Sequence, residues 1–351
     1  MAIQTVKLLD KEVGEGRPVF IICEGGLTHY GDMALARRQI DAAAEAGADA
    51  VKFQAWKTED LVSRVIAKRL EPELGYDWFE RIKYKELSQE QLAELQSYAK
   101  TKGIAWFATP HDEWGLEALN QKLNIPYIKI GSGEAHNFDF LKKVGACKKP
   151  VIISFGLQSD AEAARAVITL QDAGAAGVVA LHCVTAYPMP YEMIGLGRIA
   201  HLRELLGVPV GFSDHSVGRH ALLAAVALGA VAVEKHLTFD KSDPRSLDNP
   251  GALLPEELTA LVRDIRDLEK ARGIVPEEMR MAFLAPSRDW AGQGIVAQKD
   301  IPAGTLLDRS MIAFKRPAKG GLAPEMADKI IGRKLKRAIP QDEHIQLADF
   351  E

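Results

Sequence analysis

Two histidines close short apolar runs late in the chain: His215 ends Gly211-Phe212-Ser213-Asp214-His215, and His236 ends Val233-Glu234-Lys235-His236. Imidazoles brought together at the ends of neighbouring strands can share a divalent cation whose remaining positions go to water or substrate oxygen. The spacing is not a local metal motif, so any further ligand has to come from elsewhere. Two imidazoles plus oxygen donors are borderline in softness, which fits Mn²⁺, with Mg²⁺ or Co²⁺ as alternatives, better than a closed structural zinc site. Such an ion polarises a carbonyl and activates water.

Both histidines need strands to carry them. Eight β-rich apolar runs, at 19–23, 50–54, 104–108, 127–130, 151–154, 177–183, 208–212 and 231–235, alternate with amphipathic Ala/Leu/Glu-rich segments such as 33–46, where Gly47 supplies the stop. Eight βα units predict an α/β chain folded as a (β/α)8 TIM barrel over 1–272, with chemistry at the C-terminal rim of the strands. The stretch 273–294, with Pro276, Pro286 and Gly294, reads as a linker, and 295–351, punctuated by Pro302, Gly304, Pro317, Gly320, Gly321, Pro324 and Pro340, as a small, mostly β module.

Composition narrows the function classes. The chain has 351 residues, 47% hydrophobic and 26% charged, with a net charge of −4. That balance gives no bias toward nucleic acid or an anionic membrane, so an anionic substrate must be met by local charge. No secretory signal and no membrane-length apolar run is visible, and three distant cysteines, Cys23, Cys147 and Cys183, fit reduced thiols. A cytoplasmic enzyme is the expectation.

Barrel strands call for Val, Ile and Leu, yet nearly all eight runs end in polar groups. Lys52, Lys129, Thr109, Ser132, Ser154 and Ser213 are cations and hydroxyl donors suited to gripping phosphate and carboxylate. Glu24, Glu134, Asp214, His215, His236 and Asp248 supply bases and ligands. Each has a structural alternative: a strand lysine can be half of a buried ion pair, His182 an ordinary hydrogen-bonded histidine, Asp214 an orienting group, and Glu234-Lys235 a barrel ion pair. Eight polar strand ends together argue for one site.

The strings carrying these residues resemble the sialic acid synthase family: Cys23-Glu24-Gly25-Gly26-Leu27-Thr28-His29, Val51-Lys52-Phe53-Gln54, Ala108-Thr109-Pro110, Lys129-Ile130-Gly131-Ser132-Gly133-Glu134, Tyr187-Pro188, Phe212-Ser213-Asp214-His215 and Glu234-Lys235-His236. The C-terminal module, with Lys315-Arg316-Pro317 and Ile331-Gly332-Arg333, resembles that family's antifreeze-like (SAF) domain. The resemblance implies condensation of phosphoenolpyruvate with an N-acetylated hexose, with phosphate release, for surface polysaccharide. It assigns phosphoenolpyruvate to Lys52, Thr109, Lys129, Ser132, Ser154 and Ser213, and the metal to His215 and His236. The sugar falls to Glu24, Gln54, Tyr187 and Asp248, and acid/base work to Glu24 or Glu134. It further implies a domain-swapped homodimer in which Ser287, Trp290 and Arg316 reach a neighbouring active site, Arg316 near the acyl-amino group.

The chain also departs from the family strings. Thr28 stands where Asn is usual, Phe155 where Thr is usual, Gly195-Leu196 replaces Asn-Leu, and Asp248-Asn249 replaces Asp-His. No counterpart of the family's sugar-binding asparagine lies in 64–78. These departures predict an altered acceptor sugar. Two other readings stay open: a Schiff-base aldolase using Lys129 or Lys52, and a non-catalytic sugar-binding barrel.

Overall fold

Successive side chains of a strand point to opposite faces, so each barrel strand sorts its residues between the barrel axis and the surrounding helices. In the computed structural model, which describes residues 3–351, a hairpin of β1 (Val6–Leu8) and β2 (Lys11–Val13) precedes eight parallel strands. These are β3 (Phe20–Glu24), β4 (Ala50–Ala55), β5 (Ala105–Pro110), β6 (Ile128–Ile130), β7 (Pro150–Phe155), β8 (Gly177–His182), β9 (Val210–Asp214) and β10 (Ala232–His236). They pair in the order β5-β4-β3-β10-β9-β8-β7-β6, and β5 touches β6 across the remaining seam. The result is the expected TIM-like barrel. Strand ends differ from the apolar runs by at most two residues, because the ladders continue into polar residues such as Asp214 and His236.

The barrel interior and its jacket are separate cores. Phe20, Ile22, Ala50, Phe107, Tyr127, Ile152, Val179, Leu181 and Ala232 fill the axis, closed below by Val6, Leu8 and Val13 of the hairpin. Removing a filler such as Phe107 costs roughly 3–5 kcal/mol. The alternate residues, among them Ile21, Cys23, Val51, Phe53, Ala108, Ile153, Phe155, Phe212 and Val233, pack with the helices instead. Helix Met33–Ala46 illustrates the local rules: Asp32 accepts from the amides of Ala34 and Leu35, and Gly47 ends it in the left-handed region at φ 78°.

The chain divides into two units, Met1–Arg272 and Gly273–Glu351. In the second, β11 (Gly294–Ala297) pairs antiparallel with β12 (Ile312–Lys315), and isolated bridges such as Ile301↔Ile339 and Leu335↔Phe350 extend the β character around Ile295, Leu307, Ile330 and Ile345. The stretch 273–294, read as a linker, carries a helix, Glu277–Ala291. Pro276 precedes its first turn and Glu277 and Glu278 favour the positive helix end. None of its residues is buried and Pro286 lies inside it, so no apolar periodicity announced it.

Candidate active site

The interior face that is apolar low in the barrel becomes polar at its C-terminal end. Glu24 and Lys52 are neighbours across β3 and β4, as are His236 and Glu24 across β10 and β3, and Glu234 and Ser213 across β10 and β9. A cavity of about 310 Å³ opens above them. Thirteen of the fourteen barrel residues anticipated for the site line it, all but Asp214: Glu24, Lys52, Gln54, Thr109, Lys129, Ser132, Glu134, Ser154, Tyr187, Ser213, His215, His236 and Asp248.

At its floor, buried cations and carboxylates are interleaved. Lys52 lies 2.5 Å from Glu24 and 3.7 Å from Glu234, and donates to Thr109 Oγ1 at 3.2 Å. Lys129 donates to Ser154 Oγ at 2.8 Å and to Ile130 O at 3.0 Å, with Glu234 Oε2 at 3.9 Å. Burial alone would strip a proton from Lys52, but Glu234 and Glu24 outweigh it and raise its pKa. For Lys129 burial wins and the pKa falls, although Glu234 opposes it. Burial would also lift Glu234, yet Lys129 and Lys52 hold it down at about 2. A cationic floor with hydroxyls from three strands is suited to a small polyanion.

Across the cavity stand the imidazoles. His215 and His236 have ring centroids 5.4 Å apart, and Tyr187 stacks on His215 at 4.2 Å. His215 Nδ1 donates to Val184 O at 2.9 Å, which directs Nε2 away from the backbone. Burial lowers the His215 pKa, but the neighbouring Cys183 and the Val184 carbonyl raise it to about 9; a cation at Nε2 would displace that proton. Burial lowers the pKa of His236 despite Asp248 and Glu24, so its ring is neutral. His236 Nδ1 is buried without a hydrogen-bond partner, 3.9 Å from Asp248 Oδ2. Among the described residues no three His, Cys, Asp or Glu side chains form a metal cage. The donors therefore fit an open two-imidazole site, completed by water or substrate, and not a closed one.

Beyond the residues to which the resemblance assigns roles, several others also face the cavity. Glu234 was weighed as a partner of Lys235, but the two lie on opposite faces of β10. The signal was its i, i+2 spacing from His236. His111 bridges Glu134 Oε1 (2.9 Å) and Gln54 Oε1 (3.1 Å). Tyr76, Trp78, Arg81 and Lys85 also line it, together with Ser246 and Leu247, and Arg81 and Lys85 hold the carbonyls of Pro244 and Arg245. Lys85 donates to Arg245 O, and burial, helped by Arg81, lowers its pKa to about 8.

Other expectations are corrected by strand parity. Asp214 faces outward, taking Lys235 Nζ at 2.6 Å and the Ser216 amide at 2.8 Å, so it is no base for the cavity. His182 agrees with its structural reading: it faces outward and donates to Ile194 O at 2.7 Å. The departures read as sugar-side changes do not line the cavity: Thr28 bonds Leu237 O, Phe155 is fully buried in the jacket, and Asn249 ties Thr238 to Tyr30 and Asp243. Of the divergent segments only 64–78 reaches it, through Tyr76 and Trp78. Ser287, Trp290 and Arg316 belong to the second unit and are exposed there.

Residues 39–276 match the NeuB family, and residues 292–351 match the SAF domain. The chain belongs to the NeuB family. This NeuB-family chain is 35% identical over 337 residues to the N-acetylneuraminate-9-phosphate synthase of Homo sapiens, covering 95% of this chain and 93% of that one. It is 34% identical to the N,N'-diacetyllegionaminic acid synthase of Campylobacter jejuni, covering 94% and 99%. The crystal structure of N-acetylneuraminic acid synthetase from Leptospira borgpetersenii, in complex with citrate, aligns with a TM-score of 0.71 at 32% identity, over 81% of this NeuB-family chain and 96% of that chain. No described helix is long and apolar enough to cross a membrane.

Proposed function

We propose that this chain condenses phosphoenolpyruvate with an N-acetylated hexose to a nonulosonic acid, releasing phosphate, as a cytoplasmic step toward surface polysaccharide. One observation carries the reading: a single cavity sets two buried lysines and three strands' hydroxyls against a pair of imidazoles. Lys52, Lys129, Thr109, Ser132, Ser154 and Ser213 hold the donor's phosphate and carboxylate. Gln54, Tyr187 and Asp248 meet the sugar, with Tyr187 braced on His215. A divalent metal on His215 and His236, Mn²⁺ by donor type, supplies Lewis acidity for the acceptor's aldehyde when bound. C3 of phosphoenolpyruvate bonds the aldehyde carbon, water adds at C2, and the C2–O bond to phosphate breaks. Glu24 or Glu134 holds the protons moved in these steps.

The proposal includes a domain-swapped homodimer in which Arg316, Ser287 and Trp290 complete a second copy's cavity. The exposure of Phe283 (83%) and Trp290 (66%) on a helix with no buried residue supports it.

A second reading rests on Lys129, whose lowered pKa suits an amine nucleophile. Its two hydrogen bonds and the nearby Glu234 weigh against it, since both favour a held ammonium. The deciding assay is phosphate release from phosphoenolpyruvate across N-acetylmannosamine, its 6-phosphate and di-acetamido sugars, with mass spectrometry of the product. A nine-carbon keto acid whose formation stops with a chelator is expected. Borohydride trapping of a lysine adduct would instead establish the aldolase.

A further inference from the structure

The hydrogen bonds around Glu134 fix where a proton must lie. Glu24 is paired to Lys52, so its Oε1 accepts from Gln54 Nε2 at 2.9 Å. That bond turns Gln54 Oε1 toward His111 Nε2, 3.1 Å away. A carbonyl oxygen only accepts, so His111 Nε2 is an N–H. The other ring nitrogen, Nδ1, lies 2.9 Å from Glu134 Oε1. A bare ring nitrogen and a carboxylate would repel at that distance, so one proton sits between them. Glu134 Oε2 is then left buried without a partner, over Gly131, where a Cβ would come within 2.8 Å of it.

Resting on the proposed synthase reading, we infer that His111 is a positioning residue: it shares one proton with Glu134 Oε1 and leaves Oε2 as the basic atom of this cavity-lining residue. Glu24 differs: Gln54 donates to its Oε1, and its Oε2, likewise without a hydrogen-bond partner, is already held in an ion pair with the Lys52 ammonium. As water bonds to C2 of the donor, its proton passes to Glu134 Oε2. As the C2–O bond breaks, that proton goes from Oε2 to the departing phosphate. Water's second proton, carried on the C2 hydroxyl, is lost as the ketone forms and matches the proton that the acceptor's aldehyde oxygen gains as C3 bonds its carbon. The proton shared with His111 stays in place throughout, so the account balances with no further reagent.

The charges around the pair agree with this arrangement. Burial pushes Glu134 upward, but the charge and hydrogen bond of His111 outweigh it, helped by its own backbone and by Lys129, and hold it below the ordinary carboxylate range. Lys129 faces it from β6, while Lys52 and Glu24 lie beyond Gln54. Asp112, beside His111, is turned to the amides of Lys57 and Gly115. Trp56 packs edge-on against the His111 ring.

The test has a substrate-free arm and a kinetic arm. Ring-nitrogen NMR of the full chain, with His111 assigned by comparison with His111→Phe, should show Nε2 as N–H and Nδ1 sharing a proton. Glu134→Gln should return Nδ1 to an unprotonated nitrogen. A wild-type ring with Nε2 unprotonated, or no change in Glu134→Gln, overturns the inference. In the phosphate-release assay, His111→Phe should lower kcat about 10²-fold and move the acid limb of kcat/KM up by about one pH unit. KM for phosphoenolpyruvate should stay within about twofold, since the lysines are untouched. His111→Gln, whose amide can donate to Oε1, should restore the limb. An unmoved limb in His111→Phe, or one equally displaced in His111→Gln, contradicts the assignment. If the wild type releases no phosphate with any sugar, the synthase reading fails while the nitrogen spectra still decide the shared proton.

Discussion

Two sets of buried charges sit on the same barrel strands, one facing the axis and one facing the helices. On the outer face, Lys235 is met by Asp214 and Ser216 O, and Asp214 by Lys235 and the Ser216 amide. On the inner face, Glu134 Oε2, Glu234 Oε2 and His236 Nδ1 are buried with no hydrogen-bond partner. Burying a polar atom unpaired costs about 1–3 kcal/mol, more for a charged one. The Asp214–Lys235 pair is therefore closed and structural, while the inner charges leave acceptors open that a ligand would complete. One residue of displacement along a strand separates the two roles.

This contrast can be broken from either side. The largest effect should come from His215→Ala or His236→Ala, which remove half of the imidazole pair. Losing several kcal/mol of Lewis-acid stabilisation corresponds to roughly a 10³-fold fall in phosphate release, with thermal unfolding unchanged. A variant retaining near-normal turnover would mean that the pair holds no metal. On the outer face, Lys235→Met should leave Asp214 as an uncompensated buried charge and cost about 3–5 kcal/mol in denaturant unfolding, while kcat per folded molecule stays put. Combining it with Asp214→Leu should recover most of that loss. Loss of activity without loss of stability would erase the distinction between the faces. Next in size, Lys129→Met should raise KM for phosphoenolpyruvate by about 10- to 100-fold, the worth of one charged hydrogen bond, with a smaller effect on stability.

The smallest effect concerns a half-buried carboxylate outside the cavity lining. Glu86 holds Lys57, Lys83 and Thr58 beside it. Burial would raise its pKa, but the Thr58 amide and the Lys57, Lys83 and Thr58 side chains outweigh that and hold it at about 2. Because the folded value lies below the unfolded one, its stabilisation is present above the ordinary carboxylate range and is lost as pH falls toward 2. Glu86→Gln should weaken stability at pH 7 and flatten the decline between about pH 4.5 and 2. Parallel wild-type and variant curves across that window would dismiss the linkage.

Much of this was readable in the sequence because a barrel advertises itself through eight apolar runs, and because polar residues at the ends of those runs have few structural uses. Parity was less legible. Asp214 and His215 are adjacent in the chain but face opposite ways, and Glu234 hid beside Lys235 because dipeptides suggest pairing where strands forbid it. Phe155 and Asn249, which looked like changes in the sugar site, do not line it, whereas Tyr76, in the turn after helix Arg64–Leu74, and Trp78, the first residue of helix Trp78–Lys83, do. The helix at Glu277–Ala291 escaped because it buries nothing.

The central claim is that the inner face joins an anionic enol donor to an aldehyde and expels phosphate by breaking the donor's C2–O bond. Phosphoenolpyruvate carrying ¹⁸O at the bridging position tests it directly, with N-acetylmannosamine or whichever sugar of the panel turns over. The account predicts that the label leaves in the phosphate and is absent from the keto acid. Label retained in the keto acid would contradict it.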